Sequence, residues 1–183
     1  DLIRMGTDID LLWAEPGTPA STAPVHAWRL LGRFQAMDAI EPLVQLLKMP
    51  DINPYIEDEL PGILSLFGAP AIPALHGFLK DPKNGEEPRI CAIETLTLLA
   101  KAYVGARIAC IGILIDRIKR ADKSERIING FIVSSLIDLK AKVSINAIKA
   151  AYQNEAVDPA IAGEWPSVAF AMREAGNTTG SSQ

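Results

Sequence analysis

The chain has little that could perform chemistry. Its two histidines, His26 and His76, stand far apart, and its two cysteines, Cys91 and Cys110, both sit in apolar runs. CxxC, HExxH, GxSxG, P-loop and GxGxxG patterns are all missing, which removes the usual metal, nucleophile and phosphate sites. His26, beside Trp28 at a helix start, reads as a packed or capping residue, and His76 as a structural or surface one. The run Glu57–Asp58–Glu59 reads as helix-opening acids facing the helix dipole, not as a cation site. The sequence therefore predicts a protein that is not an enzyme and needs no cofactor or metal.

Other shortages are equally informative. Aromatics are only 6% of a chain that is 49% hydrophobic, so the core must be aliphatic, which favours helices over a β-sandwich. The longest apolar runs, such as IACIGILI (108–115), are interrupted by charge well short of the ~18 residues a membrane span requires. A basic excess is also missing: the formal charge of −4 argues against a general nucleic-acid binder. Two thiols without a disulfide framework fit a reduced, cytoplasmic setting, although pairing of Cys91 with Cys110 stays open.

What the chain does have is rhythm. Ile40, Leu43, Leu46 and Leu47 fall at offsets 0, 3, 6 and 7, and Ile72, Leu75, Phe78 and Leu79 repeat the frame 32 residues later. On a helix these offsets span an arc of roughly 120°, which makes one buried stripe. The frame returns at Ile108, Ile111, Leu114 and Ile115, and more weakly at Ile145, Ile148, Ala151 and Tyr152. Each of these helices has another before it: 24–34 opening with Pro24 after Ser21 and Thr22, 57–68 ending at Gly68, 88–103 opening with Pro88, and 124–140 opening with Ser124. Short joints (QAMD, GAP, VGA and KAK) link the members of each pair, and longer loops separate the pairs.

A period of 32 to 37 residues built from helical hairpins is the signature of a solenoid, because one hairpin cannot bury its stripe alone. The expected fold is all-α: a right-handed α-α superhelix of about four repeats (approximately 24–51, 56–82, 88–120 and 124–155). Capping segments at 1–20 and 160–175 complete a single domain over 1–175. The polar tail 176–183 is expected to be disordered.

The segment AIPALHGFLKD, preceded by LSLFG, resembles a HEAT-like repeat of the armadillo/HEAT superfamily, in the short form also found in phycobilisome-lyase-type proteins. The resemblance covers roughly 24–155, and HAWRLLGRF and SLIDLKAK add a likeness to a bacterial branch. It implies a scaffold or adaptor that binds other proteins, with a bilin-lyase-type enzyme or accessory factor as the alternative. The Asp–Arg pair common on the second HEAT helix is matched only by Asp116 and Arg117; the other three repeats lack it.

In such a stack the second helices line a concave face, and offsets 1, 5 and 8 point away from the core. That ladder, with the flanking offset 4, nominates Glu41, Gln45, Lys48, His76, Lys80, Ile113, Asp116 and Lys149 as a groove for a protein or peptide. The competing reading packs these residues against adjacent helices. Charge supplies a second candidate. Residues 1–100 hold 14 acids and 7 bases, whereas 101–152 hold 10 bases and 4 acids. Arg117, Lys119, Arg120, Lys123 and Arg126 form a basic patch that would serve weak nucleic-acid binding, an anionic partner or head-to-tail self-association, if it is more than a solvated face.

Overall fold

The computed structural model describes residues 1–49 and 55–174, and every regular element among them is helical. The expected tail 176–183 lies outside the described residues. The chain separates into two compact units, Asp1–Arg107 and the part from Ile108 onward. In the first unit α1 (Leu2–Gly6) and α2 (Ile9–Leu12) precede α3 (Pro19–Arg33), α4 (Ile40–Leu46), α5 (Tyr55–Asp58), α6 (Leu60–Ser65), α7 (Ile72–Lys80) and α8 (Glu86–Ala102). The division falls inside α9 (Val104–Ile118); α10 (Arg126–Asp138), α11 (Ile145–Gln153), α12 (Pro159–Ala162) and α13 (Trp165–Glu174) follow.

Packing in the first unit runs in two series. α3 lies against α6 and α6 against α8, while α4 lies against α7; α4 also meets α6, and α7 meets α8. Ala39, Leu43, Leu47, Ala71, Leu75 and Leu79 have no exposed surface to speak of and join these layers. Each such leucine contributes about 1.5–3 kcal/mol by leaving water. The N-terminal segment covers α3: Trp28 is fully buried and its indole N–H donates to the Gly6 carbonyl at 2.6 Å. In the second unit α10 packs on α12 and α13, and α11 on α13, with Tyr152 donating to the Gly163 carbonyl at 2.5 Å.

Local chemistry explains the boundaries. Gly68 adopts φ 68° and ψ −150°, a conformation open to glycine, just ahead of the turn Ala69–Ala71. Gln35 and Lys140 also take positive φ in their own joints, at 48° and 51°. After each of these residues comes a single 3-10 turn, at Met37–Ala39, Ala69–Ala71 and Lys142–Ser144, which feeds α4, α7 and α11 respectively. Several expected boundaries move. α8 opens at Glu86, so Pro88 is not its first residue, and the helix expected over 57–68 is two, Tyr55–Asp58 and Leu60–Ser65. α3 begins at Pro19 with Thr18 as its cap, so Pro24 lies inside the helix; and Asp122, not Ser124, caps the turn that enters α10.

The third repeat overturns an expected phase. α8 ends at Ala102 and α9 begins at Val104, so the joint is Tyr103 alone, in an extended conformation. The residues VGA, expected as a turn, are helical. Without the positive-φ residue and 3-10 entry, the apolar frame advances by one residue. The buried positions are Ala106, Cys110, Leu114 and Ile118, whereas Ile108 is 85% exposed and Ile111 and Ile115 are half-buried. One residue is about 100° of helix rotation, enough to move Ile108 from core to water. In the corrected register Ile108 matches Glu41, Pro73 and Asn146, all exposed, and half-buried Ile113 takes a stripe position instead of an outward one.

Candidate binding cleft

The outward residues of the first two repeats come together. Glu41 and Gln45 of α4, Lys48 in the turn after it, and Pro73 and Gly77 of α7 line one cleft of about 270 Å³, together with Asp81 and Asn84. A second opening of about 420 Å³ reaches the start of α8 and shares Lys48 and Asn84 with the first. Both lie in the first unit.

Each wall has a local reason. The Gln45 amide donates to Glu41 Oε1 at 2.8 Å, an i, i+4 pair that holds both side chains on one face of α4. Lys48 Nζ stands 5.7 Å from the centre of the Phe78 ring, within cation–π range. Gly77 has no atom within 4 Å of where a Cβ would sit, so its missing side chain is part of the opening. Asn84 is buried and donates to the Phe78 carbonyl at 2.7 Å, which ties the loop to the end of α7. Asp81 accepts the backbone N–H of Lys83 at 3.0 Å, capping the short turn Pro82–Asn84. Sequence reasoning passed over Asp81 and Asn84 because both lie in a loop. The signal was there, in an Asp placed just ahead of Pro82 as a cap precedes the first turn.

The other nominated residues are scattered. His76 is half-buried on α7, and Lys80 and Lys149 are exposed; none of them lines the cleft. Asp116 is exposed and pairs with Lys119 at 3.8 Å. His26 lines a small separate hollow of about 140 Å³ with Tyr55, beside the two-pronged Arg29–Glu59 ion pair.

Within the second unit the basic patch is largely committed to the fold. Arg117 is bonded to Glu125, both mostly buried; Lys123 reaches Glu155 at 2.8 Å; and Arg126 donates to the Val157 carbonyl at 3.3 and 3.4 Å. The Lys123 ammonium holds the Glu155 carboxyl below its ordinary range by hydrogen bond and charge, and Ser124 does the same for Asp122 by hydrogen bonds. Glu125 and Asp116 within the basic window, and Glu155 beyond it, thus pair with three of the five bases.

Cys91 and Cys110 are separate buried thiols, and burial pushes both up to about 11, with Glu57 and Glu94 adding to the effect at Cys91. At such values neither is a ready nucleophile. Among the described residues no group of three or more His, Cys, Asp or Glu could hold a metal, and no helix is long and apolar enough to cross a membrane.

Comparison with known proteins leaves these observations to stand on their own. No family model, no curated protein and no solved structure matches the chain.

Proposed function

We propose that this protein is a non-catalytic interaction scaffold whose α4–α7 cleft holds a segment of another protein. Its hairpins continue as a HEAT-like, right-handed α-α superhelix, and it works in the cytoplasm. One observation carries the reading: five outward positions of two successive repeats, Glu41, Gln45, Lys48, Pro73 and Gly77, line a single cleft. The serial packing of α3, α6 and α8 beside α4 and α7 supports the layered arrangement. Small residues on one wall and polar ones on the other suit a peptide or helix laid across them. The ion pairs of Arg117 and Lys123 and the hydrogen bonds of Arg126 to the Val157 carbonyl count against nucleic-acid binding, and no observation favours the bilin-lyase alternative.

The test uses a photo-crosslinking residue at the exposed position 45, with Gly77→Trp as the blocking variant. A Cβ at Gly77 meets no atom within 4 Å and tryptophan is a better helix former than glycine, and the melting temperature serves as the control for folding. A partner should crosslink from position 45, disappear in Gly77→Trp, and do so with no fall in melting temperature. Crosslinking that survives the blocking variant would exclude this cleft.

A further inference from the structure

The charges of the cleft are unevenly used. Glu41 and Asp81 both line it, and neither makes an ion pair among the described residues. Their partners are neutral: the Gln45 amide for Glu41 and a backbone N–H for Asp81. Lys80 and Lys83 are neighbours of Asp81 in sequence, yet both are exposed and neither ammonium pairs with its carboxylate among the described residues. The one cation among the described lining residues, Lys48, lies over the Phe78 ring instead of against a carboxylate. The same cleft is lined by Pro73, Ala74 and Gly77, small and apolar.

A wall of that kind accepts an alkyl stem, and carboxylates at its margins accept the charge at the stem's end. Arginine fits best, because its planar fork bonds carboxylates in pairs and its flat face stacks on apolar surface. Resting on the scaffold reading above, we propose that the cleft binds the arginine or lysine side chain of a partner peptide, its stem along Pro73, Ala74 and Gly77 and its cation between Glu41 and Asp81. Lys48 then opposes the ligand electrostatically and sets the affinity from the other side.

That role gives two substitutions opposite signs. The probe is an array of nine-residue peptides with degenerate flanks and a fixed central residue: arginine, its neutral isostere citrulline, or glutamate. The full chain should favour central arginine over citrulline by about fivefold, as expected for a solvated pair reinforced by a second carboxylate. Combining Glu41→Gln with Asp81→Asn should reduce arginine to the citrulline level. Lys48→Met, which keeps a stem over Phe78, should raise arginine binding. Melting temperatures of all variants should stay together. Equal signals for arginine and citrulline, a preference for glutamate, a fall with Lys48→Met, or no binding above blank would each overturn the inference. If crosslinking from position 45 still responds to Gly77→Trp in that event, the cleft remains the binding site and only the cationic ligand is wrong. If it does not respond, the scaffold reading falls as well.

Discussion

The α4–α7 face and the segment 117–126 are both rich in charge, and they spend it in opposite ways. In the segment, Arg117 has Glu125, Lys123 has Glu155 and Arg126 has the Val157 carbonyl, so its cations hold the second unit together. On the face, Glu41 and Asp81 accept from neutral donors and meet no cation among the described residues. The segment looked like a site because its charges are close in sequence. The face did not, because its two acids lie 40 residues apart. Pairing, not density, separates structural charge from charge open to a ligand.

Substitutions can break or sharpen that contrast. The largest effect belongs to Arg117→Ala, which removes a mostly buried ion pair with Glu125; urea unfolding should show a loss of about 2–3 kcal/mol. A loss within the range of an exposed pair would mean that the segment is merely a solvated face. On the other side, Gly77→Ala should stabilise the fold by up to about 1 kcal/mol, since alanine is the better helix former and the space is open. Destabilisation would mean that the cleft is closed in solution. Glu41→Gln should change stability by no more than about 0.5 kcal/mol, because only a neutral hydrogen bond is involved and glutamine can keep it. Any larger loss would reveal an ionic partner for Glu41.

The smallest effect is a pH dependence from Lys123–Glu155. The folded state lowers the Glu155 pKa from its ordinary 4.5, so the pair's contribution is present above that value. As pH falls below it the unfolded chain takes up the proton first, and the contribution is lost. Wild-type and Glu155→Gln proteins should therefore differ slightly in stability at neutral pH and converge in acid. Curves that stay parallel down to pH 2 would show that the pair contributes nothing.

Much of the architecture was legible in the chain. Ile40, Leu43, Leu46 and Leu47 are all buried, as their spacing required, and Gly68 takes a positive φ in the joint between α6 and α7. Legibility failed at the third joint. A one-residue link at Tyr103 and a three-residue turn look alike in a string, yet they differ by a register shift that puts Ile108 in solvent. The candidate site was half legible. Periodicity along α4 and α7 pointed to Glu41, Gln45, Lys48, Pro73 and Gly77, whereas Asp81 and Asn84 belong to a loop with no period to reveal them.

Helical periodicity, proline and glycine placement and the scarcity of aromatics determined by themselves that the described residues are all-helical, because those properties act over one or two turns of backbone. Tertiary structure alone decided which charges are free. Lys123 meets Glu155 across 32 positions and Arg29 meets Glu59 across 30, and no local pattern encodes such distances.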